Sequence, residues 1–111
     1  MQTYEMYRTM TDAEVVRKYL DFPELLTQLA EEAAELSQAA LKLRRAITST
    51  NPTPVPVGEA FDNLLGELAD VAVCMRALQI DGAIERRRID CIGEVKMSRW
   101  ATRLTEKEAG K

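Results

Sequence analysis

A long run of residues without glycine or proline, from position 24 to position 47, constrains the fold of this chain more than any other sequence feature. The run is rich in Ala, Leu, Glu, Gln, Lys and Arg, which are strong helix formers, and it contains few β-branched residues. Three alternating prolines follow at positions 52, 54 and 56, where they can join neither a helix nor a central strand. We therefore predict one long helix, followed by a stiff Pro-rich connector over about residues 48–58.

Three further helices are predicted around this one. Thr11 and Glu14 have the spacing of a capping box, which predicts a short helix from about residue 11 to residue 20, ended by the Asp-Phe-Pro sequence at 21–23. After the connector, a third helix is expected over 59–80 and a fourth over 83–106. Gly93 is the weak point of the fourth helix, and the apolar stripe changes sides around it. A bend at Gly93, or contact of the helix with two different neighbours, would explain this change.

No segment shows strand-like alternation of useful length, so the predicted fold class is all-α. We expect a helical bundle of about four main helices, arranged as two helical hairpins and completed by oligomerisation. The 111 residues of the chain are predicted to form a single domain, since the connector alone requires no domain boundary.

The composition excludes several kinds of chemistry. The chain has no histidine, which rules out His-based nucleophilic triads, His-ligated zinc and the Glu-x-x-His pairs of di-iron bundles. Its 18 acidic residues against 15 basic ones give a net charge of -3, which argues against binding to a nucleic acid polymer by bulk positive charge. Any metal or acid-base chemistry must therefore depend mainly on carboxylates.

The sequence gives no indication of a secreted or membrane protein. The longest apolar run, residues 71–75, is far shorter than the roughly 20 residues that cross a bilayer, and residues 1–10 lack the apolar core of a signal peptide. Cys74 and Cys91 fall in predicted helices and are expected to be reduced and buried; nothing supports a bridge between them. We therefore expect a cytoplasmic protein with no membrane partner.

Two predicted helices carry acids on their apolar sides. A rotation of about 100° per residue places five residues of the second helix on one stripe: Leu25, Leu29, Leu36, Leu43 and Ile47. Glu32 falls on the same side, and Glu35 lies at the edge of the stripe. The third helix has an equivalent stripe: Leu64, Leu68, Val71, Met75 and Leu78. There Glu67 falls inside the apolar arc and Asp70 at its edge.

Buried carboxylates are costly unless they are paired, protonated or bound to a metal. Packing the two stripes together would bring four carboxyl groups into one pocket, and four oxygen ligands suit a hard cation, Mg²⁺ or Mn²⁺. Because Mg²⁺ is commonly shared between carboxylates and phosphates, the pocket also predicts a phosphate-bearing substrate. A single E-x-x-E would more simply be a solvated helix face, but its occurrence on two successive helices favours the metal site.

The last predicted helix carries a basic stripe beside a tryptophan. Lys96, Arg99 and Arg103 recur at spacings of three and four residues, with Trp100 next to them. Such a stripe can hold a polyphosphate while the ring packs on a base. Alternatively, the helix dipole favours basic residues here and Trp100 belongs to the core or a subunit interface. Periodicity favours the structural interpretation for Trp100 and leaves both open for the basic residues.

The sequence LAEEAAEL at 29–36, followed by LGELADV at 65–71, resembles the EExxE and ExxD motifs of MazG-like nucleotide pyrophosphohydrolases. The resemblance covers roughly residues 24–104. It implies an all-α, Mg²⁺-dependent enzyme that converts a (deoxy)nucleoside triphosphate to the monophosphate and pyrophosphate, and that works as a homodimer or homotetramer. It departs from the family at Gly66, where an acid is common, at Trp100, where some members carry asparagine, and in a longer gap between the two motifs.

The resemblance also implies roles for individual residues. The metal ligands would be Glu32, Glu35, Glu67 and Asp70. Glu31 would be a supporting catalytic acid that orients or deprotonates water, and Lys96 and Arg103 would contact phosphates.

Two other functions remain open from the sequence. One is a non-catalytic helical dimerisation or interaction module, with a structural metal or a partner in its acidic pocket. The other is a regulator that binds nucleotides without hydrolysing them.

Overall fold

A computed structural model describes residues 9–48 and 55–110, which form four α-helices and no strand. The helices are α1 (Asp12–Tyr19), α2 (Phe22–Thr48), α3 (Val57–Ala77) and α4 (Ala83–Ala109). The predicted all-α class is thus confirmed over this part of the chain. Most of the predicted connector, at 49–54, and residues 1–8, where the sequence predicts no signal peptide, lie outside the described residues.

Capping boxes begin the first two helices. The Thr11 hydroxyl accepts a hydrogen bond from the Glu14 amide at 3.2 Å, and the Glu14 carboxylate accepts one from the Thr11 amide at 3.0 Å, as predicted. These bonds lower the pKa of Glu14. A second box, which we did not predict, joins Asp21 and Glu24 by the same two bonds at 2.9 and 3.1 Å. It lets α2 start at Phe22, two residues before the predicted start, with Pro23 in the first turn, where proline is tolerated.

The turn between α3 and α4 differs from the prediction. The predicted end of α3 was residue 80, but the helix ends at Ala77, because Gln79 adopts a left-handed conformation with φ of 60°. Gly82 instead has an extended conformation and precedes α4. The fourth helix is continuous through Gly93 and extends to Ala109, three residues beyond its predicted end.

The described residues fall into two compact units, the first up to residue 79 and the second from residue 80 onward. In the first unit α3 contacts both α2 and α1. The eight residues from 49 to 56 can span at most about 29 Å, whereas α2, with 27 residues, is about 40 Å long. The connector cannot return to the start of α2, and Lys42, late in α2, lines the same groove as Glu59, early in α3, so α2 and α3 run antiparallel.

The buried residues of the first unit are mostly small: Leu25, Ala39, Ala60, Cys74, Ala77 and Leu78. Because α2 and α3 are antiparallel, Ala39 and Ala60 belong to the half near the connector, and Leu25 and Leu78 to the opposite end. Small side chains at Ala39 and Ala60 let the two helix backbones approach closely there. Leu29, Leu36 and Leu43 are half-buried on the same side of α2, as their spacing predicts.

Three predicted buried positions are wrong. Ile47 is 62% exposed, in the last turn of α2. Leu68 is 46% exposed, because α3 turns its small residues, Ala60 and Cys74, toward α2. Cys91 is also exposed: it lies on α4, which has no buried residue.

The second unit consists of α4 and the residues just before it. Arg86 forms an ion pair with Asp81 at 3.8 Å in front of the first turn. No helix in the described ranges combines the length and the apolar character needed to cross a bilayer.

Candidate metal centre

Four carboxylates meet where α2 and α3 face each other: Glu32, Glu35, Glu67 and Asp70. One oxygen atom from each lies within 4.8 Å of the others. Each helix contributes two acids three residues apart, a spacing that keeps both on one face. We call this group the acid cluster. It contains the same four residues that the helical positions predict as metal ligands.

Glu32 is held by a neighbour on its own helix. The side-chain amide of Gln28, one turn earlier, donates a hydrogen bond to Glu32 Oε1 at 2.9 Å. The other oxygen, Oε2, is buried and has no hydrogen-bond partner among the described residues. Buried polar atoms are almost always paired, so an unpartnered carboxylate oxygen in a residue that is grouped with three other acids needs an explanation.

Glu67, on α3, resembles Glu32 in having one buried carboxylate oxygen, Oε2, without a hydrogen-bond partner among the described residues. Desolvation raises the pKa of Glu67, and the negative charges of Glu35, Asp70 and Glu32 and a hydrogen bond with Glu35 raise it further. The ionised form of Glu67 is therefore disfavoured in the folded protein and would gain from a positive charge beside it.

A buried thiol lies beside the cluster. Cys74 is one turn beyond Asp70 on α3, and burial raises the pKa of its thiol, with further contributions from the charges of Glu32 and Asp70. The thiol therefore remains protonated and uncharged. It contributes an apolar wall rather than a thiolate ligand, and the donor set is made of oxygen alone.

The acid cluster fits a hard divalent cation. Its four ligands are all carboxylate oxygens, which suit Mg²⁺ or Mn²⁺ rather than the softer metals that prefer nitrogen and sulfur. The buried, unpartnered oxygens of Glu32 and Glu67 are where a cation would replace the missing hydrogen bonds. Four negative charges so close together also repel one another unless a cation or a proton offsets them.

A groove of about 500 Å³ extends from the cluster along the α2–α3 hairpin. This volume falls within the range of small-molecule sites. Besides three of the cluster acids, it is lined by Gln38, Lys42 and Asn63, none of which the sequence analysis selected. Gly66 also lines it, and a Cβ atom there would meet no atom within 4 Å. A larger side chain at this position would therefore have space in the groove.

The other predicted site residues lie elsewhere. Glu31 is exposed on α2 and is not part of the acid cluster. The predicted substrate-binding residues are all exposed on α4: Lys96, Arg99, Trp100 and Arg103. They belong to the second unit, whereas every residue that lines the groove belongs to the first. Their roles stay predictions.

The helical spacing of polar residues on α2 could have identified two of the missed groove residues from the sequence. Gln38 lies three residues beyond Glu35, and Lys42 lies four residues beyond Gln38, so both share the face of Glu35 on α2.

Comparisons of this chain with protein-family models, with curated proteins and with solved structures each find no significant match.

Proposed function

We propose that this protein is a Mg²⁺-dependent nucleoside triphosphate pyrophosphohydrolase that converts a (deoxy)nucleoside triphosphate to the monophosphate and pyrophosphate. The observation that carries the proposal is the acid cluster, in which Glu32 of α2 and Glu67 of α3 each have a buried oxygen with no hydrogen-bond partner among the described residues. The likeness of its two motifs to the EExxE and ExxD motifs of MazG-like enzymes supports the choice of reaction.

Each acid has a distinct part in this proposal. Glu32 and Glu67 hold the cation most firmly, because each has a buried oxygen without a hydrogen-bond partner in the described ranges, and the hydrogen bond from Gln28 fixes the orientation of Glu32. Glu35 and Asp70, which are more exposed, complete the ligand set from the solvent side. When bound, Mg²⁺ or Mn²⁺ offsets the charge of the phosphates and lowers the pKa of a water molecule.

Glu31 is adjacent to the metal ligands but directed to solvent, as suits a group that exchanges protons with water. In the proposed reaction it accepts a proton from the attacking water. The water oxygen bonds to the α-phosphorus, the bond to the bridging oxygen breaks, and pyrophosphate leaves. The phosphate contacts of Lys96, Arg99 and Arg103 and the stacking of Trp100 on the base belong to the same proposal.

The proposal includes a homodimer or homotetramer. Phe61, Leu65 and Leu68 follow one another at helical spacing on α3, and each is nearly half exposed, at 48%, 48% and 46%. A stripe of large apolar side chains of this kind is typical of a surface that another protein molecule covers. Sedimentation analysis should therefore show a species of at least twice the 12.5 kDa chain mass, and a monomer at micromolar concentration would contradict this part of the proposal.

A panel of canonical and modified (deoxy)nucleoside triphosphates, assayed for pyrophosphate release with Mg²⁺ and with EDTA, tests the reaction. We expect at least one substrate to be cleaved only with the metal, and Glu67→Gln to abolish cleavage. Glu94→Gln on α4 removes the same charge outside the acid cluster and should leave turnover intact. Unchanged turnover in Glu67→Gln would refute the assignment. No turnover of any nucleotide, with Mg²⁺ still bound, would favour the non-catalytic interaction module.

A further inference from the structure

The groove continues past the acid cluster toward the connector, and its charge is uneven. Its lining includes five carboxylates: Glu35, Glu59, Asp62, Glu67 and Asp70. Lys42 is the single positively charged side chain among the residues that line it. A phosphorylated ligand that enters this groove therefore meets repulsion everywhere except at a metal held by the acid cluster and at Lys42.

The position of Lys42 follows from helix geometry. It lies seven residues beyond Glu35 on the same face of α2, which corresponds to a rise of about 10 Å. Side chains on a helix tend to lean toward its N-terminus, which for Lys42 is the direction of Gln38 and the acid cluster. Since α2 and α3 are antiparallel, Lys42 and Glu59 mark the connector end of the groove, opposite the cluster.

Lys42 is also free to bind a ligand. It is exposed and forms no ion pair with any acid among the described residues, although Glu59 and Asp62 line the same groove. A lysine that only neutralised the groove would be expected to pair with one of them. Its ammonium group is instead a point charge with no acidic partner in the part of the chain that the structure describes, and such a charge is a common phosphate ligand.

We propose that Lys42 binds the end of a polyphosphate chain whose other phosphates are held through the cation at the acid cluster. This inference rests on the proposed function, since it assigns a substrate contact at the same site. The ligand class is a magnesium-bound triphosphate, free or attached to a nucleoside. The chain of phosphates lies along the groove, anchored by the metal at one end and by the ammonium group at the other.

Calorimetric titration of the full chain with magnesium tripolyphosphate tests this placement without requiring turnover. Lys42→Met should weaken binding by about tenfold or more, the range expected when a hydrogen bond to a charged group is lost. Lys42→Arg, which keeps the charge, should recover most of the affinity. Lys18→Met removes an exposed lysine from α1 and should bind as the wild type does.

The outcomes separate this inference from the proposed function. If Lys42→Met binds tripolyphosphate as tightly as the wild type while the wild type releases pyrophosphate from a nucleotide, the role of Lys42 is refuted and the enzyme assignment stands. An equal loss in Lys18→Met would show a general charge effect and would also refute the role. If the wild type neither binds magnesium tripolyphosphate nor cleaves any nucleotide, both proposals fail.

Discussion

Replacing Glu67 by glutamine should make the metal-free protein more stable while it removes the response to Mg²⁺. In the wild type, desolvation and three neighbouring acids raise the pKa of Glu67. The ionised form is therefore the unfavourable one in the folded state. Glutamine has the same shape without the charge, so it relieves the repulsion but supplies a poor ligand for the cation.

The sign of the pH dependence follows from the direction of that shift. A carboxyl group whose folded-state pKa is raised contributes its full stabilisation below its ordinary pKa of 4.5, and this stabilisation is lost as the pH rises through the folded-state pKa. In EDTA, the free energy of unfolding of Glu67→Gln should therefore exceed that of the wild type only slightly below pH 4.5, and the difference should grow as the pH rises. Mg²⁺ affinity of the wild type should grow over the same interval, because the metal displaces the proton.

The size of the Mg²⁺ effect can be calculated for a ligand that binds only the folded state. At a concentration ten times its dissociation constant, such a ligand stabilises a protein by about 1.4 kcal/mol. A folded chain of about 100 residues has an unfolding entropy of about 0.2 kcal/mol/K, so this corresponds to a rise of about 7 °C in Tm. The wild type should show this rise and Glu67→Gln should show almost none.

Thermal denaturation followed by circular dichroism, in EDTA and in Mg²⁺ at several pH values, measures both effects. Glu94→Gln is the matched control, since it removes one negative charge on α4, outside the cluster. It should keep the full response to the metal. An equal rise in Tm for the wild type and Glu67→Gln, or a metal-free Glu67→Gln protein that is less stable than the wild type at pH 8, would refute the reasoning.

Three further predictions concern the fold that holds the acid cluster. Leu25→Ala should cost about 2–5 kcal/mol in the free energy of unfolding, because Leu25 is one of two large side chains that are buried among the described residues. A loss below about 1 kcal/mol in urea denaturation would contradict that core. Asp21→Ala should lower the free energy of unfolding by about 1 kcal/mol, because it removes the capping box of α2. Asp21→Asn keeps the cap and should retain most of that stability. Equal losses in the two variants would show that the cap is unimportant. Cys91 is exposed and should react with a thiol reagent in the native protein, whereas the buried Cys74 should react only after unfolding. Equal reaction rates under native conditions would contradict the assigned burial.

The sequence predicted well the features that depend on a single helix. The spacing of Thr11 and Glu14 was sufficient to predict the capping box, because its two hydrogen bonds involve only neighbouring residues. The acid cluster was predicted for a related reason. An acid that lies on the apolar side of each of two successive helices must meet the other when those sides pack together.

Features that depend on how two helices meet were predicted less well. A helical wheel gives the face of a residue but not its partner on the other helix, so it could not show that Lys42 and Asn63 line one groove. Leu68 was expected in the core because large apolar residues usually are, yet α3 packs through Ala60 and Cys74, which allow a closer approach. The end of α3 at Ala77 was missed because Gln79 takes the left-handed conformation beyond it, whereas glycine is the more common residue for such a turn.

Crystallography with Mn²⁺ tests the central claim most directly, because anomalous scattering locates the ion without any assumption about activity. We predict one strong peak between α2 and α3, within about 2.0–2.3 Å of oxygen atoms of Glu32 and Glu67, with Glu35 or Asp70 completing the protein ligands. The same crystals of Glu67→Gln should lose the peak. A Mn²⁺ ion bound only elsewhere on the chain, or an unchanged peak in Glu67→Gln, would contradict the account.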